Sequence, residues 1–262
     1  MPTILTGVWD IVRDNWLLLL IGQYPYGPLG GITATLILSV LGIGLAFPLS
    51  VALALARLSP FRSLRWPVTA LVYVTRGVPL LMIILWVYFL LPLLLGRPVS
   101  GFATMLCTLV LYEASYLSEV VRAGIEALPR GQTEAARALG HGYVGRMRYV
   151  VLPQALYNML PSMLSQFIST VQDTTLGYVI NVQELTFAAN QVNNQLLTMP
   201  FEVFFILAVT YFVVCFTLTT ITRAVERRVA ERRRGTGGQP VPRGVPAMAA
   251  DLPLPTGEEL PP

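Results

Sequence analysis

Between Ser162 and Gly177, residues that can hydrogen-bond or carry charge recur at helical spacing: Ser162, Gln166, Ser169, Thr170 and Asp173, followed by Gly177. On a helix they form a polar stripe along an otherwise apolar segment of membrane length. Such a face looks onto a water-filled path or a dimer axis rather than lipid. A charge at membrane depth marks a site by default, and Asp173 is the one charge in the stripe. Its carboxylate can accept hydrogen bonds from a substrate ammonium, or it can cap a helix break beside Thr174 and Thr175.

A second charge falls in an unusual setting. Arg76 opens Arg76-Gly-Val-Pro79 within an apolar run, where Gly77 and Pro79 are expected to interrupt or kink the helix. Broken helices commonly line transport sites. Arg76 can grip a substrate carboxylate bidentately, or it can pair internally with Glu113 or Glu119. Glu119 and Arg122, three residues apart, are placed to pair on one helix face.

Other chemistry is excluded by composition. The chain has no Lys, and all of its 18 basic residues are Arg. A phosphate-binding loop of the form GxxxxGK[ST] needs a Lys, so any ATP that drives this protein is hydrolysed by another subunit, and no catalytic residue is expected here. Cys107 and Cys215 lie in apolar runs and are expected to be buried small hydrophobes. His141, the single histidine, lacks partners for a metal site and reads as a loop residue.

The elements that must hold these groups are membrane helices. Of the 262 residues, 54% are hydrophobic and only 12% charged, which makes the bilayer the expected solvent. Stretches of about 20 apolar residues occur five times, at 30–56, 66–95, 101–121, 154–180 and 201–222. Arg57, Arg62 and Arg65 follow the first; Arg122, Arg130, Arg137, Arg146 and Arg148 follow the third; Arg223, Arg227, Arg228 and Arg232 to Arg234 follow the fifth. The other connectors carry only Arg97, and the N-terminal segment only Arg13. This asymmetry predicts an all-α polytopic membrane protein with its N-terminus outside and its C-terminus in the cytoplasm, and it sets Asp173 toward the outer half of its span.

Residues 1–28 are expected to form an interfacial segment. Within 4–21, Asp10, Arg13 and Asp14 share one helical face, with Trp9, Val12 and Trp16 around the other. Residues 29–230 form the transmembrane domain, and the Gly/Pro-rich tail at 231–262 is expected to be disordered and cytoplasmic. The longest polar connector, 124–151, falls on the cytoplasmic side. Within it Pro129 to Gly140 reads as a short helix, rich in Ala, with Glu134 near its positive end and Gly140 or Gly142 available as a left-handed cap.

This loop resembles a known family. Glu134-Ala135-Ala136, then Gly140, then Val150-x-Leu152-Pro153 is similar to the EAA loop of ABC importer permeases, with Val in the usual Ile position. The resemblance covers about residues 30–230. It extends to Arg76-Gly-x-Pro79-Leu80, to Tyr116-Leu-Ser-Glu119-Val-Val-Arg122-Ala-Gly-Ile125 and to Leu152-Pro-Gln-Ala155, which together look like the polar amino-acid branch. Leu85 to Pro92, Tyr112-Glu-Ala-Ser115-Tyr116 and Gln172-Asp-Thr-Thr-Leu-Gly-Tyr178 are most similar to glutamate/aspartate permeases. Val78 departs from the small hydroxyl residue frequent in the family, and the tail has no family counterpart.

The resemblance implies a five-span subunit that pairs with a second, identical or homologous permease. Glu134, Ala135, Ala136 and Gly140 would couple it to one of two ATP-binding subunits. ATP and Mg would be held by those partners, with no cofactor on this chain. An extracytoplasmic amino-acid-binding protein would deliver substrate, and no nucleic acid is involved. Asp173, Thr170, Thr174, Gln166, Arg76 and Ser115 are the candidate substrate-path residues. An ion-gradient-driven carrier would need paired repeats and an ion site, neither of which is evident, and a non-transporting scaffold would use the stripe for helix packing alone.

Overall fold

The computed structural model describes residues 2–235. The elements of the described chain are helices, in the order α1 Pro2–Ile21, α2 Gly31–Leu58, α3 Arg62–Gly77, α4 Leu80–Leu95, α5 Gly101–Glu126, α6 Arg130–Ala138, α7 Tyr143–Arg146, α8 Leu152–Asp173, α9 Leu185–Leu196 and α10 Pro200–Gly235. A π turn, Met147–Val151, leads from α7 into α8, and a 3-10 helix, Thr174–Ile180, leads out of it.

The bundle is built around α2 against α5. Ala34, Leu38, Gly42, Ala46, Ser50 and Ala54 recur on α2 at every fourth position, and all are buried. Small residues at this spacing let backbones approach closely, which is how helices associate where lipid removes the hydrophobic drive. On α5 the buried face includes Thr104, Thr108, Ala114, Ser115 and Ser118. Side-chain hydroxyls at Ser39, Thr108 and Ser115 donate to the carbonyl one turn back, at 2.8–2.9 Å, so they can be buried without an orphaned donor. α8 packs against both α2 and α5. There Gly124 has no room for a side chain, because a Cβ would collide with Met159 Sδ.

Two helices, Gly31–Leu58 and Pro200–Arg228, are long and apolar enough to cross a membrane individually. The stretch expected as one span at 66–95 differs from that expectation: it is two 16-residue helices, α3 and α4, bent by 110° at the break. Val78 is extended, at φ −106° and ψ 136°, because the residue before a proline is forced out of the helical region. The anticipated kink at Gly77 and Pro79 is therefore a full break. The stretch at 154–180 likewise changes character partway, with α8 ending at Asp173.

α1 packs through Val8, Ile11, Val12, Leu18 and Leu19 against Ala189 and Val192 of α9 and Val203 and Ile206 of α10. Asp10, Arg13 and Asp14 are exposed, and so are Trp9 and Trp16. Val12 thus belongs to the packing face rather than to an outward apolar face shared with the tryptophans. The last helix runs past the expected end of its span at 222 and continues to Gly235. The remainder of the tail expected to be disordered, 236–262, lies outside the described residues.

Candidate functional site

The stripe predicted on α8 divides between two faces. Ser162 and Ser169 are exposed, together with Ser165 and Gln172, whereas Thr170, Thr174 and Gly177 are buried. The inward half meets α5, where the Gln166 side chain donates to Glu113 Oε2 at 2.8 Å. Glu113 is fully buried, and its Oε1 has no hydrogen-bond partner. Thr170 donates to Gln166 O at 3.0 Å, and Thr174 to Val171 O at 2.7 Å. The Ser115 hydroxyl donates to Leu111 O at 2.9 Å. Ser115, Thr170 and Thr174 are therefore fully buried with their hydrogens already committed to their own helix.

Asp173 stands apart from them. It is half-buried at the end of α8, and as the residue preceding the 3-10 helix it makes no side-chain cap hydrogen bond. This corrects the capping alternative: the helix does change type beside Thr174 and Thr175, but the carboxylate takes no part in it. Each threonine hydroxyl instead bonds a carbonyl three residues back, at 2.7 Å.

Nearer the α6 end of α5, Glu119 gathers three guanidiniums. Arg57 Nη1 lies 2.8 Å and Arg76 Nη1 3.1 Å from Glu119 Oε1, and Arg122 Nη2 lies 2.8 Å from Oε2. Arg122 also reaches Glu126 Oε2 at 2.7 Å. The Arg57 contact is the most buried of the three, with its side chain 5% exposed. Arg76 therefore takes the internal partner, Glu119 rather than Glu113, and rests over the Tyr116 ring at 5.0 Å. The cluster ties the end of α2, the broken end of α3 and the lower part of α5 into one unit. Only the Glu119–Arg122 pair was visible as a local spacing, since the Arg57 and Arg76 partnerships are tertiary.

At the opposite end, Glu184 caps α9. Its carboxylate accepts from Thr186 N at 2.8 Å and Phe187 N at 2.9 Å, and Tyr211 on α10 donates to Oε2 at 3.0 Å. Leu185 N donates to Thr35 Oγ1 on α2 at 3.2 Å. Sequence reasoning missed this latch, because Glu is not among the favoured capping residues and Thr35 lies far away along the chain.

The short helix expected between Pro129 and Gly140 is present as α6, Arg130–Ala138. It ends in a left-handed Gly140, φ +82°, with His141 N bonded to Ala136 O at 3.1 Å and Gly140 N to Arg137 O at 2.9 Å. These two bonds make a Schellman cap. Glu134, Ala135 and Gly140 are exposed, but Ala136 is only 3% exposed, so it packs inward and supports the helix. Glu134 lies beyond the first turn, which contains no acidic residue, so the expected macrodipole contribution is absent. His141 sits in the α6–α7 connection, 6.4 Å from the Tyr149 ring. Both cysteines are free, and Cys107 is exposed rather than buried: an apolar run in a membrane helix includes the face turned to lipid. Among the described residues, no three His, Cys, Asp or Glu side chains gather as metal ligands.

A helical bundle, without strands among the described residues, that has polar helix faces, a broken apolar helix pair and an exposed capped connector is the architecture of a membrane permease subunit. Residues 44–231 match the family described as "Binding-protein-dependent transport system inner membrane component", and the chain belongs to it. It is 33% identical over 220 residues to the probable glutamine ABC transporter permease protein GlnM of Bacillus subtilis, covering 84% of this chain and 97% of that one. It is 32% identical over 209 residues to the glutamate/aspartate import permease protein GltK of Escherichia coli O6:H1, covering 77% and 93% respectively. A crystal structure of an amino acid ABC transporter with histidines contains a chain that superposes with a TM-score of 0.74 at 29% identity, covering 84% of this chain and 98% of that one. The protein is thus an inner-membrane permease subunit of an ABC amino-acid importer.

Proposed function

We propose that this chain forms half of a translocation path for polar amino acids, glutamate or aspartate in particular, and is driven through α6 by a separate ATPase. Five membrane crossings would be made by α2, the α3–α4 pair, α5, α8 with its 3-10 extension, and α10. Arg-rich connectors at the α6 end set that end in the cytoplasm and the N-terminus outside. Glu134, Ala135 and Gly140 then meet the ATP-binding subunit, with Ala136 as the buried support of that surface. A second permease packs across the exposed Ser162, Ser165, Ser169 and Gln172 row, and an extracytoplasmic binding protein delivers substrate near α9.

One observation carries the substrate part: Asp173 is a half-buried carboxylate with no cap bond, standing at the end of the polar helix face. Such a group is free to take a substrate ammonium as a charge-assisted hydrogen bond. Gln166 and the buried Glu113 lie behind it on the same seam. The segments most like glutamate/aspartate permeases, around Tyr112–Tyr116 and Gln172–Tyr178, supply the two walls of that seam, which supports the acidic substrate.

The test is uptake by proteoliposomes containing this permease, its ATP-binding subunit and its binding protein. Labelled glutamate or aspartate should accumulate only with ATP inside, and unlabelled glutamate should compete better than glutamine or arginine. Accumulation that follows an ion gradient without ATP would overturn the mechanism. Better competition by glutamine or arginine would overturn the substrate alone.

A further inference from the structure

The bundle carries an apolar groove away from the Asp173 seam. It lies where the last turn of α2 meets α7, the π turn and the start of α8. It encloses about 580 Å³ and is lined by Leu55, Val144, Met147, Leu152 and Leu156, with Tyr143, Pro153 and Arg148 at its margins. That volume falls within the range of about 300–1,000 Å³ usual for ligand sites. Val144 is 75% exposed, so the groove is open along one side.

Charge selects the occupant. Arg148 lines the groove and sits over the Tyr149 ring at 5.9 Å, while Arg146 sits over the ring of Tyr143 at 5.7 Å. Neither guanidinium is in an ion pair with a described carboxylate, unlike Arg57, Arg76 and Arg122. Arg146 Nε is also buried without a hydrogen-bond partner, which is a donor still lacking its acceptor. Leu55 precedes Arg57, where the apolar stretch of α2 gives way to the Arg-bearing connector. The groove therefore lies where hydrocarbon meets the headgroups.

We propose that this groove binds an anionic phospholipid of the cytoplasmic leaflet. One acyl chain lies along Leu55, Met147, Leu152 and Leu156, and the phosphate is held by Arg148 with Arg146 beside it. Basic pockets between membrane helices on the cytoplasmic side bind acidic headgroups in this way. The groove follows directly on α6, so the lipid would brace the connection through which the ATPase moves the bundle. The leaflet assignment rests on the orientation proposed above. The site itself rests on the groove, on the Arg148 that lines it and on Arg146, which sits over the ring of the lining residue Tyr143.

The complete importer, permease with its ATP-binding subunits, would be reconstituted in nanodiscs of phosphatidylcholine and phosphatidylglycerol. It would then be released into detergent and weighed intact by native mass spectrometry. The wild-type complex should retain phosphatidylglycerol in preference to phosphatidylcholine. The double variant Arg146→Gln/Arg148→Gln should lose that retention by about tenfold, the equivalent of roughly one charged hydrogen bond. Arg148→Lys should keep it, because a point charge still holds a phosphate, and Val144→Asp should abolish it. All variants should keep the ATP-binding subunits. Equal retention of the two lipids by the wild type would overturn the proposal. So would loss of the ATP-binding subunits in the glutamine variant while phosphatidylglycerol stays bound, because the groove would then be a protein interface. Neither result depends on uptake, so the proposal can fail while the transport function stands.

Discussion

Gln166 on α8 donates to the carboxylate of Glu113 on α5 at 2.8 Å, within a seam where Glu113 has no exposed surface. The bond is the side-chain link between the polar faces of two helices that otherwise meet through small and apolar groups. Its two ends are separated by 53 residues, so it records how the bundle closes rather than any local propensity.

Removing one end of that bond should cost more than removing both. Gln166→Ala leaves a buried carboxylate without its amide donor, and the loss expected is about 1–3 kcal/mol. Glu113→Gln keeps an acceptor for Gln166 and should cost less. The double variant Glu113→Leu/Gln166→Leu should recover part of the loss, because it removes the unmet polar groups together. Thermal unfolding of the wild type, Glu113→Leu, Gln166→Leu and the double variant in one detergent gives the coupling. Strict additivity would mean that the two side chains do not interact in the membrane.

A second expectation concerns the Glu119 hub. Glu119 has its side chain 16% exposed and faces three guanidiniums, whereas Arg122 is 33% exposed and has a second partner in Glu126. Glu119→Gln should therefore destabilise by about 3–5 kcal/mol, the usual cost of stranding buried charge. Arg122→Ala should cost about 1 kcal/mol or less. Arg57, whose side chain is 5% exposed, should behave like Glu119. Denaturation in detergent would rank the three, and a larger loss for Arg122 than for Arg57 would contradict the arrangement.

These partnerships also show which parts of the molecule its sequence could disclose. The short helix α6 was legible because its signals are local: Ala-rich composition, a Pro before it and a Gly to end it. Gly77 and Pro79 likewise announced a break, since the steric clash responsible involves adjacent residues. The angle of 110° did not follow, because it is set by what α3 and α4 pack against. Helical spacing put Gln166, Thr170 and Asp173 near one another on α8, but it could not say which side of the stripe meets α5 and which stays exposed. In a soluble protein the apolar side would mark the core. A membrane helix is apolar on both sides, and for the same reason Cys107 was expected inside and lies outside. Glu184 with Tyr211 and Thr35 with Leu185 join segments 27 and 150 residues apart, beyond the reach of any periodicity.

That latch gives a third expectation. Glu184→Ala removes the acceptor of two backbone N–H groups at the start of α9 and leaves the Tyr211 hydroxyl its longer contact with Thr186 Oγ1, at 3.4 Å, at a cost of about 1–2 kcal/mol. Tyr211→Phe should cost less, because the cap survives. Hydrogen exchange at the Thr186 and Phe187 amides should accelerate in the alanine variant and remain slow in the phenylalanine variant. Equal exchange in both would mean that the side-chain oxygens do not hold the start of α9.

Gly140 tests α6 through its backbone, at the end of the surface proposed to meet the ATPase. A Cβ there would meet nothing within 4 Å, so any cost comes from the left-handed backbone alone, about 1–2 kcal/mol for alanine. Asparagine tolerates that conformation better. Gly140→Ala should loosen the end of α6 and lower the amount of substrate moved per ATP hydrolysed, while Gly140→Asn should restore much of the coupling. The ratio of uptake to ATP hydrolysis in proteoliposomes is the readout, and an unchanged ratio in both variants would remove α6 from the power stroke.

Asp173 separates a transport role from a packing role most directly, because it is the candidate path residue without a local structural task. Asp173→Asn preserves size and polarity and disturbs no cap bond, so the folded permease should insert and assemble normally. If the carboxylate receives a substrate ammonium, losing its charge removes a charge-assisted hydrogen bond of about 1.5–3 kcal/mol. That corresponds to roughly a 10- to 150-fold rise in the substrate concentration needed for half-maximal stimulation of ATP hydrolysis. Thr170→Val and Ser115→Ala should change that concentration little, because both hydroxyls are buried and already donate to their own helices. A matching shift in all three variants would indicate a general loosening of the α5–α8 seam, whereas no shift in Asp173→Asn would place the ammonium elsewhere.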